Sequence, residues 1–252
     1  MARYDILGMA VDRLPPDDFV RAFVDRAKTG GAGYVCVPNV QQCVLAYDDP
    51  AFAAVIRNAE FVMSDSAVLH KFIGLKHRLA PVEVLRGDKL TLAIIRAAAA
   101  SEVPVGLIGG KNDEVLGRMI AELHHVTPGV NIAYAWSPPF RELSAREEEE
   151  MLGNIAASGA RILFVGLGGP KQERWMARHA DRLPMMMIGV GAAFDWISGE
   201  TKTSPDWIHS AGLEWLHRLI SEPRRLWRRY FSTSPRFIWL YLTRDGGPVR
   251  KR

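Results

Sequence analysis

The central segment of the chain reads Arg161-Ile-Leu-Phe-Val-Gly-Leu-Gly-Gly-Pro-Lys-Gln-Glu-Arg-Trp175. Its first five residues include a β-branched and aromatic run, which predicts a short strand buried on both faces. Glycines follow that strand at Gly166, Gly168 and Gly169. Because glycine has no Cβ, the backbone can turn sharply there and approach a ligand closely. The segment therefore predicts a strand that ends in a glycine turn.

A helix is predicted to begin directly after the glycine turn. Pro170 suits the first turn of a helix, where its missing N–H removes no hydrogen bond. The helix then starts with three polar residues, Lys171, Gln172 and Glu173. The free N–H groups and the positive dipole end of such a helix favour an anion, such as a phosphate. The same pattern also fits an ordinary βα connection with solvated polar residues, and the local sequence leaves both interpretations open.

The glycine pattern does not match a dinucleotide site. The fingerprint for such a site is G-x-G-x-x-G. Gly166 and Gly168 supply its first two glycines, but Lys171 stands at the third position. An oxidoreductase that binds a nicotinamide cofactor is therefore disfavoured.

The composition is that of a globular protein. The chain has 252 residues, of which 48% are hydrophobic and 24% charged, enough for one large domain with an appended subdomain. No apolar run reaches the roughly 18 residues needed to span a bilayer, and the first residues lack the apolar region of a signal peptide. Two cysteines, Cys36 and Cys43, fit a reducing cytoplasm. With no Cys/His cluster at ligand spacing, structural zinc is not expected.

The positive charge is concentrated near the C-terminus. The net charge is +4, yet the segment from Arg218 to Arg252 carries ten Lys/Arg and two acidic residues. That segment alone has a charge of +8, which leaves −4 for the remainder. The basic character therefore belongs to the C-terminal segment.

Apolar patterning predicts alternating strands and helices. Strands are expected at residues 5–11, 34–38, 61–64, 103–108, 130–136, 161–165 and 185–190. Helices are expected at 15–28, 50–58, 67–72, 86–100, 113–125, from a capping box at Ser144 and Glu147, and from 171 to 179. This alternation predicts an α/β fold with a Rossmann-like, mostly parallel sheet and helices on both faces. The composition changes near 198–205, so we predict a core of residues 1–197 and a basic, helical appendage of residues 198–252.

Polar side chains follow several predicted strands. Asn39, Asp65 and Asp195 each come just after one, where the ligand-binding side chains of open α/β sheets gather. Each carboxylate is either a helix N-cap or a catalytic base. Arg86, at a predicted helix start, either pairs with an anion or lies exposed. Gly109-Gly110 is a second, weaker strand–glycine–helix candidate for binding phosphate.

The C-terminal segment combines basic and aromatic residues. Two short helices are predicted, at 212–220 and 223–231, and residues 237–241 form an aromatic cluster. Basic residues among Trp and Tyr suit an anionic membrane surface, which we place first. The same residues also fit binding to nucleic acid or docking onto the rest of the protein.

Several segments, taken in order, resemble the WecG/TagA/CpsF glycosyltransferases. The matching segments are Pro38-Asn39, Ser64-Asp-Ser66, Arg86-Gly-Asp-Lys-Leu90, Val165-Gly-Leu-Gly-Gly-Pro-Lys-Gln-Glu-Arg-Trp175, Gly189-Val-Gly-Ala-Ala-Phe-Asp195, Gly212-Leu-Glu-Trp-Leu-His-Arg218 and Glu222-Pro-Arg-Arg225. They extend over residues 5–241, nearly the whole chain. The resemblance predicts a glycosyltransferase.

The resemblance implies an inverting transfer of a sugar (of N-acetylmannosamine, uronate or glucose type) from a UDP-sugar to a polyprenyl-diphosphate-linked sugar. The setting would be assembly of a cell-surface polysaccharide or teichoic acid, at the inner face of the cell membrane. Neither a metal ion nor a cofactor is implied, and nucleic acid is not an expected partner. Homo-oligomerisation stays open. A nucleotide- or nucleic-acid-binding protein that uses the basic segment is the alternative function.

The resemblance also implies roles for single residues. Asp65 would be the general base that takes the proton of the acceptor hydroxyl. The substrate-binding residues would be Asn39, Arg86, Gly168, Lys171, Gln172, Asp195, Arg218, Arg225 and Arg228. The last three would meet the charge of the departing diphosphate, and their spacing puts them near one face if their helix is continuous through Pro223. Ser66, Val37 and the segment 202–205 depart from the family pattern, which bears on the identity of the donor.

Overall fold

The computed structural model describes residues 2–205, 208, 213–221 and 223–244. The chain divides into two compact units. We call the first the hairpin unit; it comprises Met1–Pro15, Cys36–Arg86 and Thr203–Arg252. The second, the sheet unit, comprises Pro16–Val35 and Gly87–Lys202. The compositional change at residue 198 therefore falls a few residues before the end of the sheet unit.

Six strands form one parallel sheet. The strands within the described residues are β1 (Arg3–Ile6), β2 (Met9–Asp12), β3 (Gly33–Cys36), β4 (Phe61–Val62), β5 (Val105–Gly109), β6 (Ile132–Trp136), β7 (Ile162–Gly166) and β8 (Met186–Gly189). The order in the large sheet is β4-β3-β8-β7-β5-β6. Helices flank this sheet, so the predicted Rossmann-like α/β fold is confirmed.

Eleven helices lie within the described residues. They are α1 (Pro16–Lys28), α2 (Val40–Asp48), α3 (Pro50–Arg57), α4 (Ala67–His77), α5 (Gly87–Ala100), α6 (Asp113–Val126), α7 (Ala145–Ala157), α8 (Lys171–His179), α9 (Ala193–Ile197), α10 (Glu214–Ser221) and α11 (Pro223–Arg244). The predicted capping box of α7 is confirmed, since Ser144 and Glu147 each accept a hydrogen bond from the other's backbone N–H.

The core of the sheet unit lies against its central strands. In β7, the four residues from Ile162 to Val165 are all buried, as expected for a parallel strand covered on both faces. The neighbouring β8 is buried along its whole length. Helix α1 packs beside α5 and buries Phe19 and Phe23. These central strands fix where the turns that follow them begin.

The prediction of one continuous strand at residues 5–11 is wrong. Two strands, β1 and β2, form a separate antiparallel hairpin with Ile6 opposite Met9. Leu7 and Gly8 between them have φ values of 52° and 81°, the left-handed conformation of a two-residue hairpin turn. The single glycine was the sequence signal for this turn. The hairpin gives the first unit a small sheet of its own.

Helix α2 was missed by the sequence analysis. It begins directly after Asn39, whose side-chain oxygen accepts hydrogen bonds from the N–H groups of Gln41 and Gln42. The Gln42 side chain accepts from the Asn39 N–H in return, which completes a capping box. Asn39 is therefore fixed at a helix start.

Of the two short C-terminal helices predicted, the first corresponds to α10, and the second is longer than predicted. The second, α11, is a single helix of 22 residues with Pro235 inside it. Phe237 and Leu240 are buried within the hairpin unit, and Phe237 makes an edge-to-face contact with Phe72 of α4. Docking thus accounts for part of the aromatic cluster. No helix among the described residues is both long enough and apolar enough to cross a bilayer.

Candidate functional site

In the hairpin unit, two loops with candidate site residues are joined by hydrogen bonds. The backbone N–H of Met63 donates to the carbonyl of Cys36 over 2.9 Å. The hydroxyl of buried Ser64 donates to the carbonyl of Pro38 over 2.7 Å. The segments Pro38-Asn39 and Ser64-Asp65 therefore lie next to each other, as expected for residues that follow adjacent parallel strands.

Asp65 is not the N-cap of helix α4. That position belongs to Ser66, whose hydroxyl accepts a hydrogen bond from the N–H of Leu69 at 3.3 Å. The cap interpretation of Asp65 is therefore wrong. Asp65 itself is half-buried and lies one residue before this cap.

His70 stabilises the backbone next to Asp65 and was missed by the sequence analysis. Its Nε2 lies 3.0 Å from the Ser64 carbonyl oxygen. Because a carbonyl only accepts, Nε2 carries the proton and donates it. Burial lowers the pKa of His70, against the opposing effect of this hydrogen bond. The available sequence signal was the position of His70 beside Leu69 and Ile73 on the buried side of α4.

Arg86 is buried, with 5% of its surface exposed, so the prediction of an exposed arginine is wrong. Its Nη1 donates to the carbonyl of Ser204 over 2.6 Å. Both residues belong to the hairpin unit. A guanidinium has five N–H donors, and this bond accounts for one of them. Arg86 thus anchors the segment that leads toward the C-terminal helices.

In the sheet unit, two glycine turns lie side by side. Strands β5 and β7 are neighbours in the sheet. The chain continues from β5 to β6 on one side of this pair and from β7 to β8 on the other side, so the direction of the connections reverses between β5 and β7. Ligands of open parallel sheets bind at such a reversal. A Cβ on Gly109 would lie 2.7 Å from the Gly166 carbonyl oxygen. Only glycine therefore lets these two strand ends approach so closely.

The predicted glycine turn and helix start of the central segment are confirmed, since α8 begins at Lys171. Lys171 is exposed. Gln172 is buried, with 4% of its surface exposed. Its side-chain oxygen accepts hydrogen bonds from the N–H groups of Gly168 and Gly191, each at 3.1 Å. The Gly168 amide is thus engaged within the protein, and Gln172 ties together the turns that follow β7 and β8.

Asp195 lies in the short helix α9, not in an extended turn. Its backbone carbonyl accepts hydrogen bonds from the hydroxyl of Ser198 and from the N–H of Thr201. The side chain is half-buried. A Cβ on Gly166 would lie 2.5 Å from the ring of Phe194, so the end of β7 and the start of α9 are in close contact. Asp195 and Gln172 therefore belong to the same edge of the sheet unit.

The three C-terminal arginines lie on two helices. Arg218 is on α10, which ends at Ser221, and Arg225 and Arg228 are on α11, which begins at Pro223. The predicted continuity of the helix through Pro223 depends on residue 222, which lies outside the described residues. Their side chains lie outside the described residues. Their contact with a diphosphate stays a prediction.

The described part of the chain contains no group of three His, Cys, Asp or Glu side chains placed to hold a metal ion. What it contains is a parallel sheet with glycine turns after its strands, and a carboxylate beside a capped helix start. These features define a Rossmann-like α/β protein, a class whose open sheets bind ligands beyond the carboxyl ends of the strands.

The family assignment narrows that class. The model of the glycosyl transferase WecG/TagA/CpsF family matches residues 4–250. The protein belongs to this family and is a glycosyltransferase of cell-surface polysaccharide synthesis. Its substrates are, in general terms, a nucleotide-sugar and a lipid-linked acceptor.

Proposed function

We propose that the protein is an inverting glycosyltransferase that moves a sugar of N-acetylmannosamine, uronate or glucose type from a UDP-sugar to a polyprenyl-diphosphate-linked sugar. The observation that carries the proposal is the position of Asp65. It follows β4 at the ligand-binding edge of its strand, and Ser66 takes the cap role that would otherwise explain an acidic residue there.

In the proposed reaction, the Asp65 carboxylate takes the proton of the acceptor hydroxyl. The hydroxyl oxygen forms a bond to the anomeric carbon of the donor sugar while the bond from that carbon to the diphosphate oxygen breaks. A single displacement inverts the anomeric centre and needs one base. The bond between Ser64 and Pro38 and the bond between His70 and Ser64 support this role, because they fix the backbone that carries Asp65.

The departing UDP carries negative charge that the enzyme must stabilise. We assign this task to the guanidinium groups of Arg218, Arg225 and Arg228 and to backbone N–H groups, without a metal ion. Arginine is suited to this role because its planar fork of donors matches phosphate oxygens. Buried Arg86 supports the assignment, since its bond to Ser204 holds the start of the segment that leads to these arginines.

We also propose that the enzyme works as a peripheral protein at the inner face of the cell membrane. Helices α10 and α11, together with Leu213 just before α10, combine a basic sequence with several exposed apolar side chains. These are Leu213, Trp215, Leu216, Ile220, Trp227, Ile238, Trp239 and Leu242. Exposed Trp among basic residues is typical of proteins that bind the headgroup region of anionic membranes, where a polyprenyl-linked acceptor resides.

The test is a panel of UDP-sugars assayed for transfer to a lipid-diphosphate-linked GlcNAc analogue. The wild-type chain is expected to transfer one of them with inversion. Asp65→Asn should keep the fold and lower the rate by at least about a hundredfold, the scale of losing a general base. Asp49→Asn is the matched control, because Asp49 caps α3 and asparagine caps as well as aspartate. Equal rates for Asp65→Asn and Asp49→Asn would end the proposal for Asp65.

A further inference from the structure

Glu173 is a fully buried acidic residue that the reaction above does not use. It lies in the first turn of α8 with 0% of its surface exposed. The side-chain nitrogen of Gln172 donates to its Oε1 over 2.8 Å. A carboxyl group is costly to bury, so its position beside Gln172 requires an explanation.

The hydrogen bonds of Gln172 explain it. A glutamine amide has one end that accepts and one end that donates. The accepting end of Gln172 faces two donors, the N–H groups of Gly168 and Gly191. If the amide turned over, its NH2 group would face those two N–H groups and both would lose their acceptor. The acceptor at Glu173 holds the NH2 group on the other side and so selects the useful orientation.

Close packing leaves the Gln172 amide no other place. A Cβ on Gly189 would lie 2.7 Å from Gln172 Nε2 and 3.0 Å from the end of the Met176 side chain. Gly189 is the last residue of β8. The missing side chain at Gly189 is thus the space in which the buried Gln172 amide sits.

We propose that Glu173 is a positioning residue for donor binding. Through Gln172 it sets the spacing between the turn after β7, at Gly168, and the turn after β8, at Gly191. Both turns lie at the edge of the sheet where a nucleoside diphosphate binds to folds of this kind. The role in donor binding rests on the function proposed above; the role in holding the two turns does not.

The first test replaces Glu173 alone in the full chain. Glu173→Met keeps the length of the side chain and removes the acceptor. We expect the KM for the UDP-sugar to rise about ten- to hundredfold, the scale of losing a hydrogen bond to a charged group, with a smaller change in kcat. Glu173→Gln keeps an acceptor and should stay within about threefold of wild type. Hydrogen exchange of the Gly168 and Gly191 amides should accelerate in the first variant only.

The second test exchanges the two side chains. Gln172→Glu alone places two carboxyl groups against each other and should raise the KM as Glu173→Met does. In the double variant Gln172→Glu/Glu173→Gln, residue 172 again accepts from both glycines and residue 173 donates to it. Recovery of the KM and of slow amide exchange in the double variant supports the orientation mechanism. A double variant no better than Gln172→Glu, or a Glu173→Met protein with wild-type KM and exchange, overturns it.

These readouts separate the two proposals. If the wild-type chain transfers no sugar from any UDP-sugar, the proposed function fails, and the amide exchange of Gly168 and Gly191 still decides whether Glu173 holds the turns. If Glu173→Met does not fold, the exchange pair at positions 172 and 173 gives the answer, because its double variant keeps the bonds from Gly168 and Gly191 to residue 172 and the bond between residues 172 and 173.

Discussion

The hydroxyl of Ser64 donates to the carbonyl of Pro38 over 2.7 Å. This bond joins the loop that follows β3 to the loop that follows β4, one residue before Asn39 on one side and one residue before Asp65 on the other. Together with the bond from the Met63 N–H to the Cys36 carbonyl, it fixes the relative position of an amide and a carboxylate that we place in the substrate site.

Ser64→Ala is therefore expected to reduce both stability and transfer. The substitution leaves the buried Pro38 carbonyl without this donor, which costs about 1–3 kcal/mol of unfolding free energy. Chemical unfolding and the transfer rate at saturating substrates measure the two effects. Ser66→Ala is the control, since it removes only the cap of α4 and costs about 1 kcal/mol. A Ser64→Ala protein that transfers sugar at the rate of Ser66→Ala or faster would contradict the link to Asp65.

The pKa of His70 predicts a loss of stability in mild acid. Burial lowers this pKa below its usual value of 6.5, so between the folded pKa and 6.5 the unfolded chain binds a proton that the folded protein does not. The contribution to stability is present above pH 6.5 and is lost as the pH falls below it. His70→Gln should make the unfolding free energy less dependent on pH over this interval. Replacing exposed His124 by Gln is the control; equal pH profiles for both variants would count against His70.

The two sides of α11 are expected to respond differently to substitution. Phe237→Ala removes a side chain that is 1% exposed and should lower the unfolding free energy by about 3–5 kcal/mol. Trp239→Ala removes one that is 54% exposed and should change stability by less than about 0.5 kcal/mol. Under conditions in which both variants are folded, Trp239→Ala should reduce sedimentation with anionic lipid vesicles, and Phe237→Ala should not. Unchanged sedimentation would remove Trp239 from the membrane contact.

Asp12 is expected to be the most sensitive acidic residue of the hairpin. Its carboxyl group is fully buried, accepts from the Val62 N–H at 2.8 Å and pairs with Arg3 at 2.9 Å. Asp12→Ala should therefore cost at least about 1–3 kcal/mol, because the buried Val62 N–H loses its acceptor. Asp18→Ala is the control, because it breaks an exposed pair with Arg21 on α1 and should cost about 0–1 kcal/mol. Thermal unfolding of both variants measures the difference. Similar losses of unfolding free energy would contradict the prediction that the buried carboxyl of Asp12 contributes more to stability.

Local signals in the sequence predicted local structure well. The run from Ile162 to Val165 predicted a buried strand, and its glycines and Pro170 predicted the turn and the start of α8. The capping box at Ser144 predicted the start of α7. In each case, the residues that determine the strand, turn or helix start lie within a few positions of it, so the local sequence was sufficient to predict it.

Features that depend on distant residues were not predicted. The accepting partners of Gln172 lie at Gly168 and at Gly191, and the second belongs to the turn after another strand. Burial of Phe237 depends on Phe72, so an aromatic cluster that suits a membrane surface could not be separated from one that docks. The roles of Asp65 and Arg86 came from family resemblance; the structure adds that Ser66 supplies the cap of α4 and that Arg86 is buried.

The bond from Arg86 to Ser204 spans 118 positions of the chain, with most of the sheet unit between them. Closing so long a loop costs conformational entropy before any stabilising contact forms. Folds rich in such long-range contacts therefore form slowly. Nascent molecules should thus pass through a period in which α4 displays the Phe72 ring uncovered, while α11 has yet to arrive. Chaperone demand and aggregation during production are expected to respond to substitutions at Phe72 and Phe237 more than to changes at Asp65.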